Sequence, residues 1–217
     1  MTLQRSAAIT CNVAILLVAL SACSNFGSSR DVANPTLSGT SLAAQVCSNC
    51  HGLTGESTSP AFPKLAGQQK EYLSAQLIDF KGHDRKDDRG TQYMWGFTHL
   101  TDSQVNELAD YFSAQAPMRG RSAAGATLAR GEVIFSQGIP EAAVIACTSC
   151  HGPSAEGNGA IPRLAGQHAS YIVEQIKVFQ NTDQRPRGAA MKMVTHALSL
   201  QDTQAVALYL ASMGASK

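Results

Sequence analysis

The apolar positions of this chain recur with a helical period, not a strand period. Tyr72, Leu73, Gln76, Leu77 and Phe80 fall at i, i+1, i+4, i+5 and i+8, which lays them along one stripe of a helix with about 3.6 residues per turn. Tyr171, Ile172, Gln175, Ile176 and Phe179 repeat the spacing. Both stripes are predicted to face a core. Thr101, followed three residues later by Gln104, forms a capping-box pattern, and Val105, Leu108, Ala109 and Phe112 mark the apolar face of the helix it opens. Residues 202–213 form its counterpart. A further helix is predicted over 39–47 and another over 127–137, the latter stopped by Gly138 and Pro140. No run alternates convincingly at period two, so the fold class is all-α.

The matching stripes belong to a longer repeat. Cys47-Ser48-Asn49-Cys50-His51-Gly52 returns as Cys147-Thr148-Ser149-Cys150-His151-Gly152, an offset of 100. Pro63-Lys64-Leu65-Ala66-Gly67-Gln68 returns as Pro162-Arg163-Leu164-Ala165-Gly166-Gln167, an offset of 99, and Leu100 returns as Leu198. A duplicated domain explains this, with copies at 37–116 and 127–217 joined by a linker at 117–126. Each copy is read as a small helical bundle. The first residues read differently: Arg5 is the positive end of an export signal, and Val13 to Leu20 is an apolar stretch too short to cross a bilayer. Residues 1–22 are therefore expected to be removed. Leu20-Ser21-Ala22-Cys23 resembles a bacterial lipobox, which makes Cys23 the expected lipid anchor and 23–36 a flexible tether.

Composition sharpens this picture. With 44% hydrophobic and 15% charged residues, the chain is neither disordered nor a multi-span membrane protein. A formal net charge of +1 lacks the footprint of a nucleic-acid binder. Seven Phe, five Tyr and one Trp are few large side chains for two cores. A large, rigid, apolar cofactor would make up the deficit. Charge is uneven: residues 37–116 hold six basic and nine acidic side chains, 127–217 hold seven and six, and the linker adds Arg119 and Arg121. Such a polarity can orient a protein toward partners.

The chemistry lies in Cys-x-x-Cys-His, present twice. This is the attachment pattern of c-type haem: Cys47 with Cys50, and Cys147 with Cys150, present two sulfurs on one side of a helical turn to the haem vinyl groups, and His51 and His151 offer an imidazole to the iron. A pair of redox disulfides would not need the histidines. A zinc ribbon would space its cysteine pairs by roughly 15 to 20 residues, whereas 96 separate Cys50 from Cys147. Two covalently bound haem c groups are thus the expected cofactors. For the opposite face of each iron the first copy offers Met94. The second offers Met191 and Met193, and aligning Thr98-His99 with Thr195-His196 selects Met191, leaving Met193 as core filler. His99 and His196 are the rival ligands. His83 and His168 lack equivalents in the other copy and are expected to be solvated.

With these motifs the chain resembles the dihaem cytochrome c4 family, each half being similar to a class I cytochrome c. The resemblance covers nearly all of the chain beyond its signal. It implies that the carbonyls of Pro63 and Pro162 accept the Nδ1 protons of His51 and His151. It also implies that Leu65 and Leu164 pack on the proximal haem faces and that the haem propionate edges face one another between the domains. One departure is that Met94 lies six residues before Leu100 while Met191 lies seven before Leu198.

The function implied is electron transfer without catalysis. Donors would be a quinol-oxidising complex or a dehydrogenase, and acceptors a terminal oxidase or another cytochrome, on the periplasmic side of a membrane that holds the lipid anchor. A cytochrome subunit of a dehydrogenase complex is the main alternative. A dihaem peroxidase would need one iron to lose its sixth ligand.

Overall fold

The computed structural model describes residues 30–214; the proposed signal, Cys23 and the first part of the tether lie outside the described residues. The first copy begins with α1 (Gly39–Leu42), which runs through a π-helical turn (Ala43–Cys47) straight into α2 (Ser48–His51). It continues with α3 (Lys70–Lys81), α4 (Asp88–Met94) and α5 (Asp102–Ser113). The second copy has α6 (Ala126–Gln137), α7 (Thr148–His151), α8 (Ala169–Asn181), α9 (Ala189–Thr195) and α10 (Leu200–Ser212). Strand pairing among the described residues is limited to isolated bridges at Ile139 with Val144 and Asn158 with Ile161.

The predicted elements form for the reasons their residues suggest. In α3 the stripe buries Leu73, Gln76 and Phe80, and in α8 it buries Ile172, Gln175 and Ile176. At the start of α5, the Gln104 amide donates to Thr101 Oγ1 at 3.2 Å while Thr101 N–H donates to Gln104 Oε1 at 2.9 Å, so the capping box is complete. Gln104 then uses its side-chain nitrogen on the carbonyls of Asn34 and Leu37, tying the incoming chain to the bundle. Gly138, at φ +77°, closes α6. After it, a 3-10 turn at Pro140–Ala142 separates α6 from α7, so the second copy lacks the continuous run from α1 to α2.

Each copy has its own apolar core. One cluster joins Leu42, Leu73, Leu100, Val105, Leu108 and Phe112, and the other joins Ile134, Phe135, Ile172, Ile176, Val206 and Leu210. The first helix of each copy crosses the last at a glycine. A Cβ on Gly39 would collide with Glu107 and the Leu108 amide of α5, and one on Gly131 would collide with the Ala205 carbonyl of α10. The backbones therefore approach closely at both crossings, which brings each Cys-x-x-Cys-His turn onto its core.

The two copies are locked together by a reciprocal amide exchange. Gln167 accepts from the Lys64 amide and donates to its carbonyl, both at 2.9 Å, and Gln68 does the same to Arg163, at 2.6 and 3.0 Å. The start of the linker is part of this interface. Met118 is 1% exposed and its amide donates to the Ala66 carbonyl. Gly67 and Gly166, at φ +60° and +82°, make room for Pro117 and Met118 to pass. His168 belongs here too: its Nε2–H donates to the Ser57 carbonyl at 3.0 Å, which corrects its expected place in solvent. The contact crosses from the second copy to the first. His83 is exposed as expected, though stacked on Trp95 at 4.4 Å.

Candidate haem sites

One cavity of about 410 Å³ spans the junction of the copies, and its wall is overwhelmingly apolar. Both Cys-x-x-Cys-His turns open onto it, through Cys47 and His51 from the first copy and Cys147, Cys150 and His151 from the second. Each turn is a single helical turn ended by a glycine of positive φ, Gly52 at +78° and Gly152 at +79°. The four cysteines are free thiols and do not pair with one another. Burial pushes the Cys47 and Cys147 thiols up to about 11. Cys50 and Cys150 are exposed, at the mouth of each turn.

Each histidine is oriented by one bond. His51 Nδ1–H donates to the Pro63 carbonyl at 2.8 Å, and His151 Nδ1–H donates to the Pro162 carbonyl at 2.9 Å. A carbonyl can only accept, so the proton sits on Nδ1 and Nε2 keeps its lone pair. Burial pulls both imidazoles below the usual histidine range, with the proline carbonyls opposing part of that shift. They are neutral at neutral pH, as metal ligation requires.

Pro63, Leu65, Pro162 and Leu164 all line the cavity, as do Met94 and Met191. Met193 does not: it is 71% exposed, which corrects its expected role as core filler. It faces outward from α9 because Met191 already takes the inward position two residues earlier, about 200° around a helix. His99 and His196 are exposed and do not line the cavity, and His196 Nδ1 is occupied by the Met193 carbonyl at 2.6 Å. Among the described residues, no three His, Cys, Asp or Glu side chains converge as they would on a bare metal ion. The donor set is therefore two thiols and one neutral imidazole per copy around an apolar space with a thioether on its wall, which fits a covalently held haem.

Two charged residues between the candidate sites fall outside the apolar stripes and the attachment motifs. Arg85 and Arg185 are buried on the cavity wall, each lying over the phenylalanine of its own helix stripe, Phe80 at 4.5 Å and Phe179 at 5.0 Å. Their offset of 100, matching that of the cysteines, was the available signal.

The cytochrome c family model matches the chain twice, at residues 37–115 and 128–214. Cytochrome c4 of Azotobacter vinelandii is 37% identical over 182 residues, covering 77% of this chain and 84% of its own. The thiosulfate dehydrogenase electron acceptor of Thiomonas intermedia is 38% identical, covering 78% of this chain and 79% of its own. Among solved structures, the cytochrome c4 of Acidithiobacillus ferrooxidans superposes with a TM-score of 0.72 at 39% identity, covering 76% of this chain and 97% of that one. Two matched domains in an all-α chain, each with the thiols and imidazole that hold a haem, leave one conclusion: the chain belongs to the cytochrome c family, as a dihaem electron carrier of the cytochrome c4 kind with two covalently bound haem c groups.

Proposed function

We propose that the two sites are built from Cys47, Cys50, His51 and Met94 in the first copy and Cys147, Cys150, His151 and Met191 in the second. When bound, each haem supplies a one-electron couple between ferric and ferrous iron. The chain does the rest. The cysteines would tether the group, His51 and His151 would present Nε2, and Met94 and Met191 would present a thioether, a ligand that raises the potential of haem iron. Leu65 and Leu164, on the cavity wall, would exclude water from the bound group. The observation that carries this reading is the pair of Nδ1 bonds to Pro63 and Pro162, at 2.8 and 2.9 Å. They fix the tautomer and the ring plane, so that a change of oxidation state meets a ligand already in place.

The partners follow from export and anchoring. The chain is read as facing the periplasm and held at a membrane through lipid on Cys23. It would take electrons from a quinol-oxidising complex or a dehydrogenase and pass them to a terminal oxidase or another cytochrome. No helix among the described residues is long and apolar enough to cross a membrane. Replacing Cys23 with Ser is expected to move the protein from the membrane fraction to the soluble one in fractionated cells. Retention in the membrane would contradict the anchor.

A second reading, service to a dehydrogenase, is favoured by the likeness to the Thiomonas intermedia protein. Purification from native membranes separates the two. A stoichiometric dehydrogenase partner supports the second reading, and an isolated cytochrome reduced by a quinol-oxidising complex supports the first.

A further inference from the structure

The helix that carries the candidate methionine is fastened differently in the two copies. In the first, α4 presents Arg89 and Tyr93, four residues apart and so on one face of the helix, to consecutive residues of the loop before Pro63. Arg89 Nη1 donates to the Ala61 carbonyl at 3.0 Å, and the Tyr93 ring meets Phe62 edge to face, with ring centres 5.1 Å apart at 72°. Phe62 in turn lies edge-on to His51, with ring centres 6.2 Å apart. The same loop supplies the Pro63 carbonyl that orients His51. One face of α4 is therefore tied to the segment that positions the imidazole. Two further bonds hold α4 and the turn after it. Trp95 Nε1–H donates to the Arg85 carbonyl at 2.8 Å, and Arg89 Nε pairs with Glu174 of α8 at 2.6 Å.

The second copy replaces the residues of this clamp. With the prolines and the methionines aligned, Phe62 becomes Ile161, Tyr93 becomes Ala190 and Trp95 becomes Lys192. Ile161 and Ala190 offer no rings to pair. The ties of α9 run to the helix and loop just before it: Lys192 pairs with Asp183 at 2.8 Å, and the Thr195 carbonyl accepts from Gln180 Nε2 at 2.7 Å. α9 also borders a second cavity, of about 120 Å³, lined by Phe179, Asp183, Arg185, Ala189 and Lys192 among others. A helix beside unfilled space, without the ring pair, shifts more readily than one pinned to a neighbouring loop.

We propose that Phe62 and Tyr93 clamp Met94 in place, so that the second copy is where an outside ligand more readily displaces the methionine from ferric iron. Neither ring supplies an atom to the iron, which makes both of them positioning residues. The inference rests on the assignment of Met94 and Met191 as ligands. Displacement requires the methionine helix to move first, so it is slow beside mixing. The sulfur leaves, the donor atom of the newcomer takes its position, and the iron keeps its oxidation state.

The test uses the ferric dihaem protein and excess cyanide, with the two haems resolved by their NMR signals. In the wild type the second haem is expected to form its cyanide adduct about fivefold faster than the first, the size expected of one edge-to-face ring pair. Tyr93→Ala removes the pair and should speed the first haem by about the same factor while leaving the second unchanged. Tyr93→Phe keeps the ring and should keep the wild-type rates. Four results would each overturn the proposal: a wild-type first haem as fast as the second, a first-haem rate unmoved by Tyr93→Ala, equal acceleration of both haems, or Tyr93→Phe behaving as Tyr93→Ala does. The wild-type comparison stands even where a variant fails to fold. Failure of the ligand assignment has a different signature: the reduced wild-type chain would show fewer than two methionine methyl signals shifted upfield by a haem ring.

Discussion

A chain in which Cys47, Cys50, Cys147 and Cys150 are all replaced by serine is expected to carry no covalent haem and to lose its cooperative fold. The cavity between the copies measures about 410 Å³. Without haem its apolar wall, which includes Leu65, Phe80, Leu164 and Phe179, faces water instead of the cofactor, and the hydrophobic stabilisation from covering that wall is lost. Total stability of a domain is about 5 to 15 kcal/mol. Haem staining after denaturing electrophoresis reads the first consequence, and thermal unfolding followed by circular dichroism reads the second. Replacing only Cys147 and Cys150 should leave one covalent haem per chain, held by the first copy. A cooperative transition in the four-serine variant would mean that the protein side chains alone sustain the core.

The second large effect concerns Met191. Its replacement by alanine is expected to halve the far-red absorbance of methionine-ligated ferric haem, since Met94 still serves the other iron, and to lower the potential of the second haem, because thioether ligation raises it. Carbon monoxide should then bind that haem in the reduced state. Met193→Ala should change none of these, because Met193 is 71% exposed whereas Met191 lines the cavity. If Met193→Ala removes the absorbance and Met191→Ala does not, the assignment of the second iron's ligand is wrong. Met94→Ala should behave as Met191→Ala does, at the first haem. On the proposed ligation, the closed character of the sites depends on those two thioethers.

Much of this was legible in the sequence, because the features concerned are local. The stripes from Tyr72 to Phe80 and from Tyr171 to Phe179 encode a helix period, and the capping box at Thr101 and Gln104 encodes a helix start. Two cysteines and a histidine within five residues encode an attachment site. The spacing of His51 and His151 to Pro63 and Pro162 depends on a short loop, and the family resemblance supplied the bond that loop makes. What was not legible lies between the copies. Gln68 and Gln167 were visible as repeated residues, yet their pairing with the backbones of Arg163 and Lys64 exists only once two domains are docked. His168 was assigned to solvent because a residue without an equivalent in the other copy gives no hint of a contact across the junction. Nothing in the sequence marks Arg85, Arg185 or Asp87 as buried, yet all three are enclosed once the copies dock. The π-helical turn before the first attachment site was likewise hidden, since its residues, Ala43 to Cys47, have no composition that separates them from an ordinary helix.

On the proposed ligation, each iron is held between an imidazole and a thioether and passes electrons without binding an outside ligand. Mixing the reduced wild-type protein with carbon monoxide in a stopped-flow spectrometer tests it most directly. The account predicts unchanged spectra at both haems on the timescale of mixing. Prompt formation of a carbon monoxide adduct at either haem would contradict it.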